Sequence, residues 1–341
     1  MGLFSWLNNR ARAKADDSSV QDKDVAISDF AFAEAVMSGP FTSGNLAIYL
    51  IHGSDVNTAS FITLEEGLAK KKVIIEETGN VSQLRIRNAG DEVVFIQSGD
   101  IVKGGKQDRT LQHDMILNSN SGFVPINSFC VESGRWCKRG REDDSRFAQS
   151  NQYLSSKGLR MSAKMGSQGE VWSEVGKLQC RSAVNAGVPL RAMQDAASVS
   201  SLQLTLDSDK IKECTDRYVD DLLQVVNEKT DVLGFAFAIN GQMNSIDVYS
   251  CNSLLKKMGS KLIRAAAVEA FAEQKEGQAL APPTISEVIA SMQDLADSKA
   301  DVVTVNGKAK ILKQESEKNV LFETRNMMNG GQWLHRNYMT K

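Results

Sequence analysis

The sequence predicts an α+β fold: a β-rich, sandwich- or barrel-like N-terminal half, followed by helices packed with hairpins in the C-terminal half. Three observations predict it. Short apolar runs separated by turn residues crowd the stretch from 45 to 132. Apolar residues recur at helical spacing further on, at Ile211, Tyr218, Leu222 and Val226, and again at Leu254, Met258, Leu262, Ala266 and Ala270. Two of the chain's Asn-Gly pairs, Asn240-Gly241 and Asn306-Gly307, each stand between strand-like runs. That dipeptide is the strongest short hairpin signal, because both central residues of a type I′ turn take positive φ.

Taken in order, residues 1–29 read as a flexible tail. Leu3, Phe4, Trp6 and Leu7 form a short apolar patch followed by Arg10, Arg12 and Lys14. A secretory signal has its positive charge before the apolar run. N-myristoylation wants Ser or Thr where this chain has Trp6. The tail either docks or frays, with peripheral membrane contact through residues 3–7 as the alternative. Residues 16–29, rich in Asp and Ser, look like a linker.

A β-rich domain is expected over 30–136. Its strands are read at Asn45–His52, Val73–Glu77, Leu84–Arg87, Val93–Gln97, Ile101–Val102, Thr110–Leu117 and Phe123–Glu132. Thr63-Leu64-Glu65-Glu66 is a capping box opening a short helix. Residues 137–166, polar and charged, are expected to be a long surface loop. Ser167-Gln168-Gly169-Glu170 caps a helix, opening an α+β part over 167–328. That part holds helices from Asp209 and Ser253, a helix capped by Thr284-Ile285-Ser286-Glu287, and strands near 301–305, 308–313 and 319–324. Residues 329–341 read as a loose C-terminal tail.

A chain of 341 residues suits two domains or one large α+β unit. The net charge of −2 supplies no basic field, so no nucleic-acid partner is expected. No apolar run approaches the ~18 residues a membrane span needs. The five cysteines are scattered without a CxxC pair, and the three histidines lack metal-ligand spacing. No metal, cofactor or disulfide is expected, and a reducing cytoplasm fits the cysteine pattern.

The glycine-rich stretch "SGDIVKGGKQDRT", 98–110, invites comparison with a phosphate-binding P-loop. A P-loop needs Gly, four residues, then Gly-Lys and a hydroxyl residue, followed by a helix. Asp100 stands where the first Gly belongs, and Gln107 stands where the hydroxyl belongs. The downstream "TLQHDMIL" alternates as a strand does. Strand–turn–strand over 98–117 is therefore expected.

Three motifs carry more: Lys106-Gln107-x-Arg109, Cys130-Val131-Glu132-x-Gly134-Arg135-Trp136, and Gln168-Gly169-Glu170-Val171-Trp172. With "TLEEGLAKKKVIIEE" and "FVPINSFCVESGRW" in the same order, the chain over about 40–275 resembles the ARG-and-rhodanese-phosphatase-superfamily-associated protein domain. This is a largely uncharacterised bacterial family. Its name records gene association with ADP-ribosylglycohydrolases and related phosphatases, which implies a nucleotide or ADP-ribose-like phosphorylated ligand. Gly99-Asp100-Ile101 departs from the family's acidic pair, since one acid stands there.

The same residues read chemically. A Gln amide two positions from a guanidinium makes a donor surface for phosphate, carboxylate or ribose. The expected ligand-binding residues are Gln107, Arg109, Glu132, Arg135 and Trp136. Several readings stay open. Arg109 is either a ligand contact or a cross-strand ion pair with Glu132. Trp136 is a core lid or a stacking platform. Cys130 reads as core, as does Trp172, and the run Arg135, Lys138, Arg139, Arg141 reads as a solvated loop balanced by Glu142-Asp143-Asp144. The expected function is binding of a phosphorylated small molecule. The alternatives are a hydrolase with Glu132 or Asp100 as general base, and a scaffold or assembly subunit without a small ligand. No nucleophile–base pair is recognisable in the sequence.

Overall fold

The structure is a computed structural model describing residues 25–26, 36–56, 59–227, 229–275, 280–295 and 298–341. The apolar tip at residues 3–7 and most of the 16–29 linker lie outside the described residues. Strands β1 (Val25–Ala26), β2 (Val36–Ser43), β3 (Leu46–His52) and β4 (Ile62–Thr63) lead to helix α1 (Leu64–Ala69). β5 (Val73–Asn80), β6 (Gln83–Asn88), β7 (Val94–Ile96), β8 (Asp100–Gly104), β9 (Arg109–Leu111), β10 (Met115–Leu117) and β11 (Val124–Cys130) follow. Next come β12 (Phe147–Leu154), α2 (Lys157–Met165), α3 (Gln168–Asn185), α4 (Leu202–Asp207) and α5 (Asp209–Asn227). The chain ends with β13 (Val232–Ile239), β14 (Gln242–Tyr249), α6 (Asn252–Ala272), α7 (Ile285–Gln293), β15 (Asp301–Asn306), β16 (Ala309–Glu315), β17 (Asn319–Asn326) and β18 (Gln332–Thr340).

Two sheets organise the molecule. A nine-stranded sheet runs β1-β2-β3-β13-β14-β18-β17-β16-β15, so strands from both ends of the chain share it. The sequence boundary at 136 is therefore not a boundary in this sheet. Leu46, Ile48 and Leu50 face one layer with α6 residues Leu254, Met258 and Leu262, while Ala47, Tyr49 and Ile51 face α7 residues Ile285 and Val288. Both faces of β3 are covered, which is why its sequence is an unbroken apolar run. The second sheet runs β12-β8-β9-β11-β6-β5. Its two edges meet, because Glu76 bridges Arg146 and the Glu77 N–H donates to the Ser145 carbonyl. It thus curls into a near-closed barrel filled by Ile75, Ile86, Val102, Leu111, Ile126 and Phe147. The small sheet β10-β7-β4 packs its Val94, Ile96, Met115 and Leu117 into the same core. The α+β, barrel-like expectation holds.

The turn chemistry holds in detail. Asn240 and Gly241 take φ 51 and 73 and close β13 onto β14 with Ile239 opposite Gln242. A bulge then sets Phe237 opposite Ser245 instead of Asn244. In the second hairpin Asn306 pairs with Ala309, so the turn is Gly307-Lys308, one residue beyond the expected pair. Gly307 takes φ 64, and a Cβ there would sit 2.3 Å from the Ile116 carbonyl oxygen. The hairpin tip docks on β10 through the Lys308 N–H to Ile116 bond. Thr63 and Thr284 both form complete capping boxes. Ser167 caps α3 by accepting from the Glu170 N–H.

Three expectations need correction. Residues 329–341 are not a loose tail: β18 sits between β14 and β17. The 137–166 stretch holds β12 and α2. Thr110–Leu117 is not one strand, because Gln112–Asp114 separate β9 and β10, which enter different sheets. Buried polar residues hid the first two. His335, Arg336 and Asn337 on β18, and Arg160 and Lys164 on α2, are all buried.

Arg336 pairs with Glu323, and the other four side chains belong to one network. The His335 ring bonds Asp114 at Nδ1 (2.7 Å) and Asp247 at Nε2 (3.0 Å), so with both nitrogens donating it is an imidazolium between two carboxylates. Arg160 pairs with Asp247 at 3.2 Å, and Asn337 donates to the same carboxylate. Thr324 and the Ser98 N–H donate to Asp114. Tyr249 stacks on the His335 ring with 4.6 Å between centroids. Burial alone would lower the His335 pKa, but the Asp114 and Asp247 charges outweigh it and raise it. Burial takes Lys164 down to about 8 against the pull of Asp114.

Replacing His335 leaves two buried carboxylates without their shared cation. We expect His335→Gln to lose about 3–5 kcal/mol in chemical denaturation at pH 6. The folded pKa is raised, so the imidazolium's contribution is full below the unfolded value of about 6.5 and lost as pH rises through the folded value. The gap between wild type and variant should therefore narrow on the alkaline side. A gap that widens with pH would show that His335 is held neutral.

Candidate functional site

The residues singled out in the sequence do converge, but mostly on one another. Asp108, which the motifs passed over, sits at the centre. It accepts from the Gly104 N–H at 3.1 Å, Ser201 Oγ at 2.9 Å and Arg139 Nη1 at 2.8 Å. Glu132 accepts from Arg135 Nε at 2.7 Å and from the Asp108 N–H at 3.1 Å, with Arg139 3.6 Å away. Arg135 also donates to the Gly105 and Cys137 carbonyls. The Arg135–Arg141 run is thus not wholly a solvated loop: Arg135 and Arg139 turn inward and are buried. Two carboxylates and two guanidiniums neutralise each other, which makes burial affordable. Burial, with Glu132 beside it, raises the Asp108 carboxyl despite Arg139. Burial would also raise Glu132, but hydrogen bonds from Arg135, Ser198 and the Asp108 N–H hold it below the ordinary carboxylate value.

Arg109 is fully buried on β9 and pairs across the barrel with Glu77 on β5 at 3.4 Å, not with Glu132. The register sets Arg109 opposite Cys130 on β11, two residues short of Glu132. Arg109 also donates to the Gln107 carbonyl, and the Gln107 side chain is buried. Trp136 is 43% exposed, with Lys106 and Arg109 beneath its ring at 5.2 and 5.7 Å. It is a lid with an open outer face. Asp100 lies apart from this cluster and pairs with Lys261 of α6 at 2.7 Å. Cys130 is core, its thiol pushed up to about 11 by burial. Trp172, expected in the core, is 39% exposed on α3. No helix follows Lys106; β8, a turn and β9 stand there, as expected for a segment that is not a P-loop.

The ion cluster is the foundation of a larger feature. Its loop returns to the barrel at Arg146-Phe147, where Gly105 N–H donates to the Arg146 carbonyl. Arg146 and Phe147 then line a cleft of about 850 Å³ between the barrel and the helices. α1 contributes Glu65 and Leu68, β5 contributes Val73 to Ile75, β8 contributes Lys103, and α5 and α6 contribute Lys212, Asp216 and Arg264. Five cations (Lys71, Lys103, Arg146, Lys212, Arg264) face two carboxylates, Glu65 and Asp216. Glu65 lies 3.9 Å from Lys261, and Lys212 lies 3.9 Å from Asp209. Arg264 Nε is buried with no hydrogen-bond partner. Lys71 takes φ 56 just past the end of α1, where glycine is the usual residue. Lys71 stands at the rim of the cleft. None of the five was among the candidate site residues read from the sequence.

Among the described residues no group of three or more His, Cys, Asp or Glu could hold a metal ion, and no helix is long and apolar enough to cross a membrane. All five cysteines are free. The fold and the cleft define a class of α+β protein in which a helix-backed antiparallel sheet carries a small barrel, with a cationic cleft at their junction. The chain belongs to the ARG and Rhodanese-Phosphatase-superfamily-associated Protein domain family, whose model matches residues 34–339. The match runs beyond the 40–275 stretch of the motifs to the end of β18, consistent with β18 lying inside the large sheet. No curated protein and no solved structure matches the chain.

The buried Arg109–Glu77 pair gives a direct expectation. Arg109→Ala leaves Glu77 charged and enclosed, so the ligand-free protein should lose about 3–5 kcal/mol in urea denaturation. A variant as stable as wild type would free Arg109 for the ligand role.

Proposed function

We propose that this protein binds a phosphorylated small molecule, of the nucleotide or ADP-ribose class, in the cleft between barrel and helices. The observation that carries the reading is the excess of five cations over two carboxylates around an 850 Å³ space. That volume lies within the range of small-molecule sites. Val73, Ile75, Leu68 and Phe147 offer apolar wall, and the cations supply charge-assisted donors for phosphate oxygens. The motif residues Gln107, Arg109, Glu132 and Arg135 serve this reading as the frame that fixes the Arg146 end of the wall. Trp136, with its open face, lies outside the lining of this cleft.

Hydrolysis through Glu132 or Asp100 is the weaker reading. Hydrogen bonds from Arg135, Ser198 and the Asp108 N–H hold Glu132 as a low-pKa carboxylate, and Asp100 is tied up in its ion pair with Lys261 at 2.7 Å. A general base works best near the operating pH. An assembly role has one observation in its favour: the edge strand β15 exposes Val302, Val303 and Val305.

The test is isothermal titration of the full chain with ADP-ribose, ADP and unphosphorylated adenosine. We expect binding of the phosphorylated pair, and a loss of roughly 10–100-fold in affinity for Lys103→Glu and for Arg264→Gln, each removing one charge-assisted contact of about 1.5–3 kcal/mol. Lys71→Gly should relieve the positive-φ strain, keep or raise the melting temperature, and still weaken binding. Equal heats for adenosine and ADP-ribose, or no response to these substitutions, would refute the cleft as a phosphate site.

A further inference from the structure

A second constellation lies on the large sheet, and it shares no residue with the cleft. Ser38 Oγ lies 2.6 Å from His52 Nε2, and His52 Nδ1 lies 3.0 Å from Asp231 Oδ1. Ser38 is on β2, His52 ends β3, and Asp231 immediately precedes β13. The three strands are neighbours in the sheet, and Val36 pairs with His52, which sets Ser38 diagonally beside the imidazole. The hydrogen bonds imply one consistent proton arrangement. With the ring proton on Nδ1, His52 donates to Asp231 and its free Nε2 accepts from the Ser38 hydroxyl. A serine, a base hydrogen-bonded to it, and a carboxylate orienting that base are the geometry of an activated nucleophile.

The surroundings fit a reacting centre. Ser38 sits at a bulge in β2, just before Gly39 at φ 119. Bulges re-aim a side chain out of the regular ladder. The three groups open onto a pocket of about 460 Å³ shared with Val36, Gly53, Ser54 and Lys229. His52 is mostly covered, its side chain 15% exposed, while Asp231 is 63% exposed. Burial would raise the Asp231 carboxyl, but the hydrogen bond from His52 works against burial and the carboxyl is lowered.

We propose that Ser38, His52 and Asp231 form a hydrolytic centre for small carboxylic esters. Ser38 Oγ attacks the ester carbonyl carbon as His52 Nε2 takes the hydroxyl proton, and the carbonyl π pair moves to oxygen. Lys229, lining the same pocket, supplies positive charge for that oxygen. The tetrahedral centre collapses, the C–O bond to the alcohol breaks, and the imidazolium gives its proton to the departing oxygen. Water then attacks the acyl-serine with His52 again as base, releasing the carboxylic acid and restoring Ser38. Ser38 and His52 are the catalytic residues, and Asp231 positions His52.

The experiment treats the full chain with an alkyl fluorophosphonate, maps the adduct by mass spectrometry, and follows p-nitrophenyl acetate turnover. Wild type should be modified at Ser38 and show turnover above the buffer rate, and Ser38→Ala should lose both. His52→Gln should slow labelling about 100-fold or more, the scale of a general base. His52→Gln removes bonds to both neighbouring strands, so the exposed Asp231→Asn is read alongside it. It should slow labelling at an unchanged melting temperature, and Asp231→Glu should regain part of the rate. An unmodified Ser38 in wild type, modification only at other residues, or a Ser38 labelling rate unchanged in His52→Gln and Asp231→Asn would each overturn the proposal.

Discussion

The His335 imidazolium, clamped between Asp114 and Asp247, is the interaction on which the arrangement of the two sheets depends. Asp114 belongs to the link between β9 and β10, at the barrel. Asp247 is on β14 and His335 on β18, both in the large sheet, and Arg160 brings α2 to the same point. Isolated, each charge would be too costly to bury. Together they are mutually satisfied, and the geometry that satisfies them admits one placement of barrel against sheet. The cleft exists because of that placement, since its walls come from α1, β5 and β8 on one side and from α5 and α6 on the other.

The same principle recurs under the motif loop. Asp108, Glu132, Arg135 and Arg139 neutralise one another in a buried cluster, and the loop from 131 to 146 is tied down by it. The outcome differs from an anion site with free guanidiniums. Here the cations are spent on internal carboxylates, while in the cleft a few residues away Lys212 and Arg146 each have a carboxylate only at 3.9 Å and Arg264 Nε has no hydrogen-bond partner. Motif density in the sequence therefore marks the frame, and surplus charge in space marks the place we propose for a ligand.

Much of the fold was legible because local rules and tertiary structure agree. The Asn240-Gly241 turn, the Thr63 and Thr284 capping boxes, and the absence of a helix after Lys106 all follow from chemistry within a few residues. What escaped was buried charge. β18 and α2 look solvated in sequence because His335, Arg336, Arg160 and Lys164 are polar, and their partners lie 87 or more residues away for Arg160 and His335. Arg139 was hidden for the same reason. The cleft lysines carry no motif, and the Ser38–His52–Asp231 chain joins residues separated by 14 and 179 positions. No spacing rule of a single sequence could reveal either one.

We propose that phosphate is held by the cations of the cleft. A crystal structure of the full chain grown with saturating ADP-ribose tests this. We expect diphosphate density within hydrogen-bonding distance of at least two of Lys71, Lys103, Lys212 and Arg264. An empty cleft, or diphosphate density placed elsewhere on the molecule, would contradict it.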